Sequence, residues 1–258
     1  MIRALFGILG MALMAANAAC DRAPAAKAPA ASTAAGPAGY LSPPLVTGGV
    51  WSPGGVTLTG TAAPGAQVGL TSPSGARLAA ATDATGRWTA TLAEEPSPAI
   101  YGLAMELEGR AIQSEGYLLL TPEGRVWQLR AGAGARLLAG PPAGGLTALD
   151  FDAGGAVIVS GQVRPETPVA ISVDGRPAMQ ARSGADGRLS VTLAQPLTPG
   201  GHVVALSSEA NPAQQAAFTI DAQPPALAEP MRTERQDGRW RIDWLTPGGG
   251  VQTTLLMG

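Results

Sequence analysis

Displaced by 101 residues, the chain aligns with itself in one ungapped register from Val56 to Leu119. Val56-Thr57-Leu58-Thr59-Gly60 lies over Val157-Ile158-Val159-Ser160-Gly161, and Val68-Gly69-Leu70 over Val169-Ala170-Ile171. Ala84-Thr85-Gly86-Arg87 lies over Ala185-Asp186-Gly187-Arg188, and Tyr117-Leu118-Leu119 over Phe218-Thr219-Ile220. A period this long is a whole duplicated domain, since solenoid units run to roughly 20–50 residues. Any fold for this chain must therefore be one that a segment of fewer than 101 residues can complete twice.

Each copy reads as short strands. Val56, Leu58 and Gly60 alternate with Thr57 and Thr59, a period of two. Trp88, Ala90 and Leu92 alternate with Thr89 and Thr91 after an Asp83-Ala84-Thr85-Gly86 turn, where Gly supplies a positive φ. Turn signals recur about every 8–12 residues, the rhythm of a β-sandwich. The expected fold class is all-β: two sandwiches in tandem, each followed by a β-hairpin.

The segment Gly60 to Val68 together with Asp83 to Leu92 resembles the bacterial immunoglobulin-like domains of envelope proteins. Their Gly-x-Ala-x-Pro-Gly-x-x-Val turn-strand and Asp-x-x-Gly-x-Trp-x-x-x-Leu hairpin are both present. In the second copy Glu166 follows Pro165 and Leu189 replaces the Trp. Gly184 to Leu189 is also similar to the small sandwich of carboxypeptidase-regulatory type. The resemblance implies two immunoglobulin-like sandwiches, expected at 45–122 and 149–222, and it speaks for fold, not chemistry.

Two tails lie outside the copies. The first, in 123–148, holds Val126-Trp127-Gln128-Leu129, a Gly-rich turn at 131–135 and Arg136-Leu137-Leu138. The second, in 223–258, is expected to be a linker and then a hairpin, Arg239 to Trp244 returning through Val251 to Met257. There Trp240, Ile242 and Trp244 share one face, and Arg239, Arg241 and Asp243 the other. The apolar phase of the first tail is offset by one residue. A lone hairpin is marginal in water, so each tail must pack on something. Trp240, Trp244, Arg239, Arg241 and Trp127 are the candidate binding residues, as a platform for a sugar ring or a partner protein. The competing reading closes the Trp face against the second sandwich.

The N-terminus reads as an address. Arg3 precedes an uncharged apolar stretch, Ala4 to Ala16, then Asn17-Ala18-Ala19-Cys20, the layout of a secretory signal at 1–19. It also resembles the bacterial lipoprotein signal, in which the Cys after small residues takes the lipid; that implies lipidation of Cys20, although Asn17 stands where an aliphatic residue is usual. Ordinary cleavage after Ala18 is the alternative. Residues 20–44 are an Ala/Pro-rich tether, too poor in large side chains to offset ordering entropy.

Composition narrows the chemistry. The net charge is −2, with charged residues at 14% and no basic cluster, so nucleic acid is excluded as a partner. One Cys and one His rule out a disulfide framework and a multi-histidine metal site. His202, aligned with Tyr101, reads as a strand residue and not a general base. Adjacent Glu94 and Glu95 point to opposite sides of a strand. Asp150, Asp152, Asp174 and Asp186 are too scattered for calcium and read as solvated turn residues. No cofactor is expected. The sequence points to a non-catalytic, lipid-anchored envelope scaffold or adaptor on the periplasmic face of a membrane, partnered by an envelope protein or glycan. The alternative is a carbohydrate- or peptidoglycan-binding module using the C-terminal Trp hairpin.

Overall fold

The computed structural model describes residues 41–209 and 211–257. The signal segment 1–19, Cys20 and the tether up to residue 40 lie outside the described residues.

Seven strands form each copy. The first has β1 (Leu45–Ser52), β2 (Gly55–Thr61), β3 (Gln67–Thr71), β4 (Arg77–Ala81), β5 (Arg87–Ala93), β6 (Ala99–Leu107) and β7 (Arg110–Leu120). Then come β8 (Val126–Leu129) and β9 (Arg136–Ala139). The second copy has β10 (Gly145–Phe151), β11 (Val157–Gln162), β12 (Pro168–Val173), β13 (Arg176–Arg182), β14 (Arg188–Thr192), β15 (Gly200–Ser208) and β16 (Asn211–Ile220). Three more strands follow: β17 (Met231–Gln236), β18 (Arg239–Leu245) and β19 (Val251–Leu256). The 101-residue offset carries β6 onto β15 at both ends.

All pairings are antiparallel, and the sheets repeat. In the first copy β1-β2-β5 faces β4-β3-β6-β7; in the second β10-β11-β14 faces β13-β12-β15-β16. Alternation decides what lies between the layers. Val56 and Leu58 of β2 and Trp88, Ala90 and Leu92 of β5 point inward against Val68 and Leu70 of β3. Val157 and Val159 meet Val169, Ile171 and Leu206 in the second sandwich. Each fully buried aliphatic side chain of this kind contributes on the order of 2 kcal/mol.

The tails extend opposite sheets. In the first copy β8 and β9 add to the outer edge of β7. In the second, β19, β18 and β17 add to the outer edge of β10. The two tails are therefore not structural equivalents, which accounts for their mismatched apolar phase. Strand β1, the counterpart of β10, remains an edge and exposes Leu45, Val50 and Trp51. The segment 231–236, expected as linker, is strand β17, so the C-terminal unit is a three-stranded meander and not a hairpin. Met-Arg-Thr-Glu-Arg-Gln has no apolar face because an edge strand turned to solvent needs none.

The hairpin turns require their glycines. Gly86 and Gly187 sit at φ 78° and 77°. A Cβ at Gly86 would come 2.3 Å from the Ala62 carbonyl oxygen, and at Gly187 2.2 Å from that of Val163. Those carbonyls accompany backbone bonds that close each sandwich, Ala62 N–H to Gly86 O and Val163 N–H to Gly187 O, both 2.8 Å. Gly86→Val and Gly187→Val are each expected to destabilise their sandwich by roughly 3 kcal/mol, from left-handed strain plus the clash. Urea unfolding reads it; unchanged midpoints in both variants would remove the turn assignment.

Candidate functional site

A third core lies between the two sandwiches. Leu119 of the first copy and Trp127 and Leu129 of its tail meet Ala148 of the second copy and Ile242 and Trp244 of its tail. The alternation of β18 places Trp240, Ile242 and Trp244 toward this junction, the common face read from the sequence. Trp244 is 0% exposed and Trp127 1%. The Trp244 indole meets Tyr117 edge-on, centroids 5.9 Å apart at 87°, and its Nε1–H donates to Thr254 Oγ1 at 3.1 Å.

The loop between β8 and β9 also docks on the second copy. Ala135 N–H donates to Asp150 Oδ2 at 2.8 Å, Gly132 N–H to Gln252 Oε1 at 3.2 Å, and Ser190 Oγ–H to the Ala133 carbonyl at 2.8 Å. Gly134, at φ 82°, has no room for a side chain: a Cβ would lie 2.6 Å from Ser190 Oγ. Asp150 is the hub. It is 1% exposed and also accepts from Gln252 Nε2 at 3.1 Å and Thr254 Oγ1 at 2.6 Å. Burial pushes its carboxyl above the ordinary value, against the pull of those three hydrogen bonds. The expectation of a solvated turn residue fails at Asp150, because β19 and the docked loop cover it. Asp152 and Asp186 do serve turns, accepting from Ala156 N–H at 3.2 Å and Arg188 N–H at 3.1 Å.

The other face of β18 is covered too. Arg241, 9% exposed, donates to Asp221 Oδ2 at 2.9 Å and Asp243 Oδ1 at 3.2 Å, and lies 5.8 Å from the Phe151 ring. Arg232 pairs with the same Asp243. Trp240 is half-buried; its Nε1–H donates to Glu123 at 3.1 Å and Arg235 sits 4.6 Å over its ring. Burial, the largest influence on Glu123, raises its pKa, but the hydrogen bonds it accepts and the Arg235 charge prevail and hold it below the ordinary value. Among the described residues Arg239 donates to the Gln215 carbonyl, at 3.4 Å. Of the five residues named from the sequence, Trp240, Arg239 and Trp127 border an open cavity of about 220 Å³. Trp244 and Arg241 are enclosed in packing and take no part in it.

His202 is fully engaged. Nδ1 lies 2.8 Å from Asp174 Oδ2 and Nε2 2.8 Å from the Thr198 carbonyl. Both neighbours are acceptors, so both bonds form only when both nitrogens carry hydrogen, which is the imidazolium. The Asp174 bond first, then the Thr198 carbonyl, hold its pKa above the ordinary value. Tyr101, its counterpart, ties the same strand start to Glu95 at 3.1 Å, and burial leads in raising its pKa to about 12. Glu94 faces elsewhere, accepting from Gly54 N–H at 3.0 Å. Among the described residues no cluster of three or more His, Cys, Asp or Glu is placed to hold a metal ion.

A larger cleft, about 530 Å³, went unread in the sequence. Its walls are β9, the 140–143 connection and the outer face of β11 and β14, and Arg130, Arg136 and Arg188 converge on it. Arg188 is more than fifty residues from Arg130 and Arg136 and meets them only because the 130–135 loop docks, so no local pattern announces the group.

The strand order, three strands facing four in each copy, is consistent with tandem sandwiches of the immunoglobulin and fibronectin type III kind. No protein-family model matches the chain, and no curated protein matches it. It is similar to a β-glucuronidase of Parabacteroides merdae at 13% identity and TM-score 0.36, over 69% of this chain and 24% of that one. It is similar to the adhesin InvE of Yersinia pseudotuberculosis at 18% identity and TM-score 0.24, over 75% of this chain and 66% of that one. The central fibronectin-III array of RIM-binding protein overlaps at 11% identity and TM-score 0.27, over 82% of this chain and 88% of that one. The chain spans about a quarter of the length of the first of these. The overlaps are loose, and the assignment of class rests on the strand order itself.

Proposed function

We propose that this chain is a non-catalytic cell-envelope lipoprotein, an immunoglobulin-like scaffold or adaptor held by a lipid on Cys20 at the periplasmic face of a membrane. The junction carries this reading. The side chains best suited to stacking or acid–base work are spent on packing: Trp127, Trp244 and Asp150 join the two sandwiches into one unit, and Arg241 ties β18 to Asp221 at the end of its own sandwich. His202 has both nitrogens occupied. A unit built this way presents surface; it does not gather reactive groups. The Arg3 n-region, the apolar stretch and Ala18-Ala19-Cys20 support the address, and the tether supports a standoff from the membrane. A sugar platform of Trp240 and Trp244 finds no support in a Trp244 that is 0% exposed.

Fractionation of bacteria expressing the full chain tests it. The wild type should sediment with membranes, and Cys20→Ser, once processed, should appear in the soluble envelope fraction. A processed Cys20→Ser protein that stays on membranes would show that the lipid is not the anchor.

A further inference from the structure

The cleft between β9 and β14 is positive in a chain whose net charge is −2. Arg130, Arg136 and Arg188 line it, and Asp186 is the one acid in the lining. Pairing is loose. Arg188 lies 3.8 Å from Asp186, and Arg130 lies 4.0 Å from Glu115, which is 68% exposed and stands outside the lining. Arg136 has no ion-pair partner among the described residues. Desolvation first, then the like charges of Arg188 and Arg130, lower its pKa below the ordinary value, against the opposing pull of Asp186.

The lining has two more features. Ser160 lines the cleft and is 2% exposed, and among the described residues neither its hydroxyl nor the buried Nε of Arg130 has a hydrogen-bond partner. Buried polar atoms are normally satisfied, and two of the five unpartnered ones among the described residues fall at this cleft. The size, about 530 Å³, falls within the roughly 300–1,000 Å³ of small-ligand sites. The rest of the surface is mixed: Thr147, Gln162 and Ser190 offer hydroxyls and an amide, while Leu137, Pro142 and Leu189 offer aliphatic contact. No aromatic ring lines it, which argues against stacking on a sugar face.

We propose that this cleft binds a small organic anion carrying at least two carboxylate or phosphate groups. Three arginines opposed by one lining carboxylate leave two positive charges for such a dianion to neutralise. Planar guanidiniums match both oxyanions in bidentate geometry. The site is independent of the scaffold reading and of the lipid anchor.

Isothermal titration of the full chain at low salt, with citrate as the carboxylate probe and pyrophosphate as the phosphate probe, decides it. Saturable binding of either probe is expected, and which one binds more tightly names the oxyanion. Arg136→Gln and Arg188→Gln should each raise Kd about tenfold, with circular dichroism confirming that the variants remain folded. Arg77→Gln, on β4 and away from the cleft, should leave Kd unchanged. Absence of saturable binding by both probes would overturn the proposal. So would equal weakening by Arg77→Gln, or acetate binding as tightly as citrate, since either reveals diffuse charge attraction instead of a site.

Discussion

Trp244→Ala should cost about 4 kcal/mol, the middle of the range for deleting a buried aromatic. The indole is 0% exposed and fills the junction core beside Ile242 and Leu119. Its loss opens a cavity that β-sheets on both sides cannot collapse, removes the edge-on contact with Tyr117, and leaves Thr254 without its Nε1–H donor. Trp240→Ala is the internal comparison. That ring is half-buried, capped by Arg235 and bonded to Glu123, and its removal should cost about 1 kcal/mol. Urea unfolding followed by near-ultraviolet circular dichroism measures both. A further expectation concerns cooperativity: with the junction weakened, the single transition of the wild type should split into two, one per sandwich. Equal costs for the two substitutions would mean that Trp244 is not the wedge.

Asp150→Ala is expected to be nearly as damaging, about 3 kcal/mol at acid pH. It strands three donors at once, the Ala135 amide, the Gln252 side-chain amide and the Thr254 hydroxyl, each costing about 1–3 kcal/mol when buried unsatisfied. Release of the carboxylate from burial offsets part of that sum. The pH dependence follows from the direction of the shift. Burial raises the folded pKa above 3.8, so the folded state binds the proton more tightly than the unfolded state. The contribution is fully present below about pH 4 and declines as pH rises through the folded pKa. The gap between wild type and Asp150→Ala should therefore be widest in acid and narrow toward neutrality. A gap that widens with rising pH would reverse the assignment.

Much of the scaffold is legible in the residues, for a physical reason. Inside each sandwich the alternation of Val56-Thr57-Leu58 or Trp88-Thr89-Ala90 has one core to satisfy, and the turn glycines mark the reversals. The tails obey a different rule. Trp240, Ile242 and Trp244 do share a face, but what that face meets is decided by long-range docking, and here it is the other copy. The opposite face, with Arg241 and Asp243, reads as solvent-facing on any local pattern. It is buried because Arg232, Asp221 and Thr253 complete a charge network around it. Arg136 sits in the first tail and Arg188 in the second copy, and nothing near either one records that the chain folds them together.

The placement of β19 sets an order of assembly. Thr254 lies 104 residues beyond Asp150, the partner it caps, and β19 fills the outer edge of a strand synthesised long before it. Each sandwich closes through nearer neighbours, with less loop entropy to overcome. On a nascent chain, β10 must therefore wait with one backbone edge unpaired and an acidic side chain still hydrated. The seam zips last, and until it does, that edge is open to capture by a chaperone or by another unfinished copy.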